Sequence, residues 1–171
     1  MDLILVDEND RPIGAMEKME VHKKGRLHRA FSVFIFNSNK EMLLQQRALD
    51  KYHSGGLWSN ACCSHPSVTG PETMAAASQR LQDEMGFTTL IEKAFDFTYK
   101  AEFGNGLIEY EFDHAYVGVY NGAISPDPRE VKDFCFMTMD KIRGLIQSHP
   151  AKFTSWFIIA FPKLEEYLAN S

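Results

Sequence analysis

The segment WSNACCSHP, residues 58–66, concentrates more groups able to do chemistry than any other short stretch of the chain. Two adjacent cysteines, Cys62 and Cys63, precede His65. In an extended segment Cys63 and His65 share a face, so that a cation beside the thiol would lower its pKa. Cys62 then points to the opposite face and into packing. Cys135 stands among aromatic residues and is expected in the core.

Imidazoles and carboxylates elsewhere in the chain indicate a second kind of chemistry, metal ligation. His22 and His28 are six residues apart, which does not match one helical face, whereas Glu109 and Glu111 are two apart on a predicted strand and share a face. With His65 they form a set of three imidazoles and two carboxylates, which suits Zn²⁺ or Mn²⁺. Taken singly, each histidine is more typical of a surface or turn, and the glutamate pair of a solvated acidic face.

Two other residues have an ordinary and a functional interpretation. Glu84 lies at the end of a predicted helix, where the helix dipole disfavours a carboxylate unless a cation binds it. Such a position is a mild indication of a metal ligand. Trp156 stands in the apolar segment KFTSWFIIAF and is typical of a core residue, but its indole face can also stabilise a positive charge.

The charge distribution leaves two interpretations of the basic residues. The formal net charge is −5, which does not favour a nucleic-acid groove. Cations nevertheless concentrate in the first half of the chain, where they form either a solvated face or a pocket for a small anion such as phosphate. These residues are Lys18, Lys23, Lys24, Arg26, Arg29, Arg47, Lys51 and Arg80.

Length and composition predict one globular domain over residues 1–171. Apolar residues make up 44% of the chain and charged residues 24%, and no apolar run approaches the roughly 20 residues that span a bilayer. The N-terminal residues lack the features of a signal peptide. Three cysteines, two of them adjacent, are typical of free thiols in a reducing cytoplasm.

The predicted elements place these groups on an α+β fold with a mainly antiparallel or mixed sheet, because the strands come in hairpins rather than βαβ units. The residues around Ile35 and Leu44 read as a hairpin, and the clearest helix has start signals at Thr69, Pro71 and Glu72 and a stop at Gly86. The strands IEKAFDFTYKA and LIEYEFDHAYVGVY follow, then a Pro-rich loop, a strand, and two helices separated by His149-Pro150.

Seven segments in register resemble the type I isopentenyl-diphosphate isomerases, a branch of the Nudix superfamily. They are GAMEKMEVH, RLHRAFSVFIF, QQRALDK, GLWSNACCSHP, RLQDEMGF, LIEYEFDH and SWFIIAF, and the match spans most of the chain, from Gly14 to Phe161. The resemblance implies a Nudix-like α/β/α sandwich, with a mixed sheet flanked by helices. It also implies interconversion of isopentenyl diphosphate and dimethylallyl diphosphate by proton addition and removal through a tertiary carbocation.

The resemblance assigns roles by position. Cys63 and Glu111 correspond to the two acid–base groups on opposite faces of the substrate, Tyr99 to a tyrosine near the catalytic glutamate, and Trp156 to the tryptophan that faces the carbocation. Glu84 corresponds to a ligand of a Mg²⁺ ion that bridges to the diphosphate. The expected ligands of a further ion, Mn²⁺ or Zn²⁺, are His22, His28, His65, Glu109 and Glu111. The expected anion-binding residues are Lys18, Arg47, Lys51 and Arg80.

The chain departs from the general Nudix signature, because near the end of that motif QRLQDEMG retains only part of the acidic cluster. The His22–His28 spacing is one residue shorter than the family pattern. A Nudix-type hydrolase of a nucleoside diphosphate derivative and a non-catalytic module with a structural zinc are the alternatives. The isomerase interpretation predicts a cytoplasmic enzyme, a monomer or weak homodimer, with a small-molecule substrate and neither nucleic acid nor membrane as partner.

Overall fold

The computed structural model describes the whole chain, Met1–Ser171, and contains one nine-stranded sheet and four α-helices. The strands are β1 (Asp2–Val6), β2 (Pro12–Glu17), β3 (His28–Phe36), β4 (Glu41–Arg47), β5 (Trp58–Ser59), β6 (Cys62–Ser64), β7 (Ile91–Glu102), β8 (Ile108–Val119) and β9 (Val131–Thr138). The helices are α1 (Lys18–Lys24), α2 (Thr73–Met85), α3 (Met139–Ser148) and α4 (Ser155–Ala169), with a 3₁₀ turn at Pro150–Lys152. None of these helices has the length and apolar character needed to cross a bilayer.

The sheet is mixed, as expected, and its centre is a parallel pair. β3 runs parallel to β8 from His28 opposite Glu111 to Phe36 opposite Val119, and β8 pairs with β7 antiparallel. The predicted hairpin of β3 and β4 is joined by its turn, but its strands pair only at Phe36 and Met42. They diverge because β6 pairs with β3 along residues 31–33, while β4 pairs with β5 and β9.

Helices cover both faces of the sheet, which confirms the expected α/β/α layering. Alternate residues of a strand point to opposite faces. Val33 of β3 therefore packs in one buried cluster with Leu81 of α2, whereas Phe34 packs in another with Phe157 of α4. Ile142 of α3 joins the second cluster. The sheet is thus held between two apolar layers, and the ends of β3 and β8 are fixed relative to each other.

Helix α2 has the predicted end signals. The side chain of Glu72 caps its first turn by accepting a hydrogen bond from the Ala75 N–H at 3.1 Å. Gly86 ends it in the left-handed region at φ 77°, where a Cβ atom would lie 2.2 Å from the Ser125 carbonyl oxygen. This stop places Glu84 in the final turn, against the sheet.

The sequence analysis did not predict α1, although this helix carries a site residue. Its seven residues, KMEVHKK, are mostly polar, so no apolar periodicity marks it. Val21 and His22 face inward and are buried, while Lys23 and Lys24 remain exposed. Gly25, at φ 64°, ends the helix and returns the chain to β3.

Candidate active site

Residues from α1, β3, β8 and the segment after β6 converge at one end of the β3–β8 pair. We call this group the histidine–glutamate cluster, and all its members are buried. The parallel register sets His28 opposite Glu111, and α1 brings His22 against Glu109. The structure therefore brings together the predicted set: His22, His28, His65, Glu109 and Glu111.

Distances within the cluster are those of a ligand set. One ligand atom from each of His22, His28, His65 and Glu109 lies within 4.8 Å of the others. Glu111 completes the group, since its Oε2 lies 2.6 Å from His65 Nε2 and 3.4 Å from His28 Nε2. The shortened His22–His28 spacing has not moved His22 out of the cluster.

Hydrogen bonds on the outer side of the rings indicate where the lone pairs point. The Nδ1–H of His22 donates to the Lys18 carbonyl at 2.6 Å, and that of His28 donates to the Arg26 carbonyl at 2.9 Å. In neutral imidazoles this leaves each Nε2 with a lone pair directed into the cluster. His28 Nε2 and Glu109 Oε2 are buried without any hydrogen-bond partner, which costs about 1–3 kcal/mol per group. These residues fit a divalent ion held among nitrogen and oxygen donors.

Opposite charges shift the pKa values in the cluster in opposite directions. Burial acts to raise the pKa of Glu109, but its contacts with His22 and His53 outweigh burial and hold that pKa well below its ordinary value. Burial acts to lower the pKa of His65, but attraction to Glu111 and hydrogen bonds to both glutamates raise it to about 9. The proton that His65 retains thus balances part of the negative charge of the neighbouring carboxylates.

A cavity of about 30 Å³ adjoins the cluster. Cys63, Tyr99, Glu111 and Trp156, the four residues expected at the reaction centre, all line it. The Tyr99 hydroxyl donates to Glu111 Oε1 at 2.5 Å. The remaining lining residues are Arg47, Tyr52, His53, Ser64, His65 and Glu109.

The direct partners of the Cys63 thiol are an amide and a hydroxyl, not a cation. Its sulfur lies 3.2 Å from Asn60 Oδ1, to which the thiol donates, and 3.5 Å from Ser32 Oγ. Burial, and after it the charge of Asp113, raise the pKa of Cys63 to about 12. The expectation of a lowered thiol pKa was wrong, because the buried surroundings disfavour the thiolate. Cys62 packs beneath α2 as predicted.

The basic residues separate into two groups. Burial, and after it the charges of Lys51 and Arg80, lower the pKa of Lys18, so these three cations lie close together. Lys51 and Arg80 both form ion pairs with Glu130. Lys24 instead pairs with Glu20 on the exposed side of α1, which fits the solvated interpretation.

Arg47 is set apart from the other predicted anion-binding residues. Its guanidinium lies 5.1 Å from the centre of the Trp156 ring, and its Nη2 donates to the His53 carbonyl at 3.1 Å. Arg47 therefore lines the cavity and approaches the indole that was expected to face the carbocation.

Glu84 is buried but is not among the converging ligand atoms of the cluster. Its Oε1 accepts from Gln45 Nε2 at 3.0 Å, and its Oε2 pairs with Arg80. The cation that stabilises this carboxylate at the helix end is thus an arginine of the same helix. Its role as a Mg²⁺ ligand stays a prediction.

The sequence analysis missed three buried polar residues of the site. Asp113 shares the inward face of β8 with the two glutamates, so extending the alternation by one step would have found it. Asn60 holds the Cys63 thiol, and its Nδ2 donates to the Val33 and Cys62 carbonyls at 2.9 and 3.0 Å. His53 lies in a loop, where no sequence periodicity indicates which way a side chain points.

A second, larger groove of about 680 Å³ lies at the opposite end of β7 and β8. Most of its lining is apolar, including Leu90, Val119 and Leu168, and none of the predicted site residues lines it. It offers no converging set of imidazoles, carboxylates or thiols. The groups able to do chemistry are therefore at the small cavity.

Solved structures share this fold at low sequence identity. The DR0079 protein of Deinococcus radiodurans superposes with a TM-score of 0.78 over 95% of this chain and 98% of its own, at 13% identity. The MutT protein of Methanosarcina mazei superposes with a TM-score of 0.68 over 82% and 94%, also at 13% identity. At such identity the likeness shows the fold alone.

Sequence relatives are much closer. A protein of Pectobacterium atrosepticum named isopentenyl-diphosphate Delta-isomerase is 48% identical over 97% of this chain and 92% of its own. One of the same name from Serratia proteamaculans is 48% identical over 91% and 87%. The NUDIX domain family matches residues 26–157, which include every predicted site residue except Lys18 and His22. The chain therefore belongs to the NUDIX family and, within it, to the isopentenyl-diphosphate Delta-isomerases.

Proposed function

We propose that the protein interconverts isopentenyl diphosphate and dimethylallyl diphosphate. The observation that carries the proposal is that one thiol, Cys63, and one carboxylate, Glu111, line the same small buried cavity. The names of the close relatives support the same activity. We also propose that residues 1–171 act as one catalytic domain.

The reaction requires a proton to be added to the terminal alkene carbon and another to be removed from the carbon on the far side of the branch. The first step leaves a tertiary carbocation, and the second uses a C–H electron pair to form the new double bond. An unactivated alkene is a weak base, so the proton donor must be in contact with it and water must be excluded. A buried cavity meets both requirements.

In the proposal, Cys63 and Glu111 are the two groups that exchange protons with the substrate, one acting as donor and the other as acceptor. After one turnover the donor has lost a proton and the acceptor has gained one, so both must exchange with solvent. The Tyr99 hydroxyl, hydrogen-bonded to Glu111, provides a route for that exchange. The Trp156 ring borders the cavity and can stabilise positive charge through its π face without forming a bond.

The histidine–glutamate cluster would hold Mn²⁺ or Zn²⁺ through His22, His28, His65, Glu109 and Glu111. Such an ion supplies a fixed positive charge that lowers the proton affinity of the coordinated carboxylates. Glu111 would then join metal site and cavity, because its Oε2 faces His65 and its Oε1 faces Tyr99. Glu84 would help to hold Mg²⁺ together with the substrate diphosphate.

The cations would anchor the charged end of the substrate. Lys18, Lys51 and Arg80 form one patch, and a diphosphate is best bound by several cations including an arginine fork. Arg47 lines the cavity itself and would contact the diphosphate where it meets the five-carbon chain. At about 30 Å³ the cavity has room for about one water molecule, so its walls must separate for the substrate to enter.

The remaining parts of the proposal concern surroundings and assembly. The partner is a small molecule rather than nucleic acid or membrane, and the enzyme works in the cytoplasm as a monomer or weak homodimer. Size-exclusion chromatography with light scattering tests the assembly state. A stable complex of more than two chains would contradict it.

The activity is tested by incubating the purified protein with isopentenyl diphosphate, Mg²⁺ and Mn²⁺, and separating the products. Formation of dimethylallyl diphosphate with no release of phosphate is the expected result. A parallel incubation with nucleoside diphosphate derivatives tests the hydrolase alternative. Release of phosphate or mononucleotide there, with isopentenyl diphosphate unchanged, would contradict the proposal.

A further inference from the structure

His53 lies in the loop between β4 and β5 and contacts the histidine–glutamate cluster from the cavity side. Its Nε2 is 2.9 Å from Glu109 Oε1, and both side chains are only 3% exposed. It is the fourth imidazole near the two glutamates, although no assigned role in the reaction includes it.

The hydrogen bonds of His53 differ from those of the imidazoles that fit a metal. Its Nδ1 lies 3.0 Å from the Ser54 hydroxyl, which can donate to it, so the ring proton is on Nε2 and is donated to Glu109. His22 and His28 have the reverse arrangement, with Nδ1–H bonded outward to backbone carbonyls. His53 is also outside the group of ligand atoms that lie within 4.8 Å of one another.

Packing on several sides holds the His53 ring in this orientation. It stacks on Phe103 with ring centres 4.3 Å apart and planes 9° from parallel, and its contacts with the Tyr52 and Trp156 rings are T-shaped. The loop is tied down by Asn105, whose Nδ2 donates to the Tyr52 carbonyl at 3.0 Å. A ring held this way keeps its N–H aimed at one oxygen.

We propose that His53 is a positioning residue for the metal site: its N–H donates to Glu109 Oε1, the oxygen that also lies 2.8 Å from His22 Nε2, and so directs Oε2 to the ion. Glu109 Oε2 is the oxygen that is buried without a partner. Outer-shell donors of this kind orient ligating carboxylates, and their loss typically weakens metal affinity about 10–100-fold. The inference rests on the metal site of the proposed function.

Two substitutions separate the effect of the N–H donor on metal affinity from the effect of the aromatic ring. His53→Phe keeps the stacking on Phe103 but has no N–H, whereas His53→Gln loses the stacking and keeps an N–H donor at a similar reach. Titration of Mn²⁺ into the metal-free proteins, followed by the electron paramagnetic resonance of free Mn²⁺, gives the dissociation constants. We expect His53→Phe to bind at least about tenfold more weakly, and His53→Gln within about threefold of the wild type.

Control measurements separate positioning from ligation and from misfolding. His114→Gln, which removes an imidazole from a different carboxylate contact, should leave Mn²⁺ affinity unchanged. The visible spectrum of the Co²⁺-loaded His53→Gln protein should match that of the wild type; a changed spectrum would make His53 a ligand and overturn the proposal. Thermal melts of the metal-free proteins check folding, and His53→Met replaces His53→Phe if the latter does not fold.

Two results distinguish failure of this inference from failure of the proposed function. Wild-type protein that binds neither Mn²⁺ nor Co²⁺ would overturn the metal site, and the role of His53 with it. Wild-type protein that binds Mn²⁺ while His53→Phe binds it equally well would overturn only the role of His53. Equal weakening in His53→Phe and His53→Gln would also overturn it, because the donor would then not be what matters.

Discussion

Two groups of histidine and carboxylate residues occur in this molecule, and their hydrogen bonding differs. The first is the histidine–glutamate cluster. The second, which we call the Asp10 cluster, consists of Asp10, Arg29, Lys93 and His114. In the Asp10 cluster Arg29 Nε donates to Asp10 Oδ1 at 2.8 Å, and His114 Nε2 donates to Asp10 Oδ2 at 2.8 Å. Lys93 Nζ donates to His114 Nδ1 at 2.6 Å.

The difference is that the hydrogen bonds of the Asp10 cluster are all made within the protein: both carboxylate oxygens of Asp10 have donors without any ligand. Both nitrogens of His114 are bonded, and the cluster is partly exposed. In the histidine–glutamate cluster His28 Nε2 and Glu109 Oε2 have no partner although both are fully buried. Residue types alone do not separate the two groups, whereas unpaired buried atoms do, because leaving them unpaired is costly.

Replacement of Cys63 by Ala tests whether the histidine–glutamate cluster serves catalysis or only structure, and it has the largest expected effect. Loss of one proton-transfer group should lower kcat about 10²–10⁴-fold with an unchanged thermal melt. Cys135→Ala is the matched thiol control and should keep full activity. If the cluster were a structural zinc site in a non-catalytic module, Cys63→Ala would be harmless in every assay.

Replacement of one carboxylate in each cluster tests the comparison directly. Glu109→Gln should weaken Mn²⁺ binding by at least about 100-fold, because it removes a charged ligand. Asp10→Asn should leave the dissociation constant unchanged and instead lower the free energy of unfolding by about 1–2 kcal/mol, through its ion pairs with Arg29 and His114. Calorimetric titration and urea unfolding measure the two quantities. Equal metal affinities of the two variants would remove the distinction.

In the metal-free protein, the contributions of the two clusters to the free energy of unfolding should change with pH in opposite directions. The folded pKa of His65 is raised to about 9, above its unfolded value, so its stabilisation is full below about pH 6.5 and is lost as pH rises through 9. Burial, and after it the charge of Lys93, lower the folded pKa of His114, so its contribution is instead lost as pH falls below about 6.5.

Urea unfolding of metal-free protein between pH 6 and 10 measures the contribution of His65. The wild type should lose about 3 kcal/mol as the pH rises through that range, and His65→Gln should remove most of the slope. Saturating Mn²⁺ should also remove it, since a bound ion replaces the proton. A slope that persists in His65→Gln would show that another group is responsible.

The basic patch has the smallest expected effect. Lys51→Ala removes one of three neighbouring cations and should raise KM for isopentenyl diphosphate about tenfold, with kcat nearly unchanged. Lys24→Ala, on the exposed side of α1, is the matched control and should leave KM unchanged. Steady-state kinetics at fixed ionic strength measures both. Equal KM values would place the diphosphate elsewhere.

Local patterns were sufficient to predict part of the site. Glu109 and Glu111 share a face because alternation along a strand is a local property, and α2 ends at Gly86 because the backbone there must turn left-handed. The thiol, carboxylate, tyrosine and indole of the reaction centre required the family resemblance. Their common cavity follows from the packing of α4 against the sheet, which no short segment encodes.

Other features depend on contacts between distant segments. The predicted hairpin opens because β6 takes its place beside β3, and only the folded sheet shows this. The pKa of Cys63 is raised by burial and, after it, by the charge of Asp113, which lies fifty positions further along the chain. His53 reaches Glu109 through the path of a loop, and sequence periodicity carries no information about such paths.

The most direct test of the account is the fate of solvent protons in the reaction. The protein is incubated with isopentenyl diphosphate, Mg²⁺ and Mn²⁺ in deuterated water, and the products are analysed by mass spectrometry and NMR. If Cys63 and Glu111 exchange protons with both substrate and solvent, dimethylallyl diphosphate should carry deuterium on a methyl carbon. Unchanged substrate, or a dimethylallyl product without deuterium, would contradict the account.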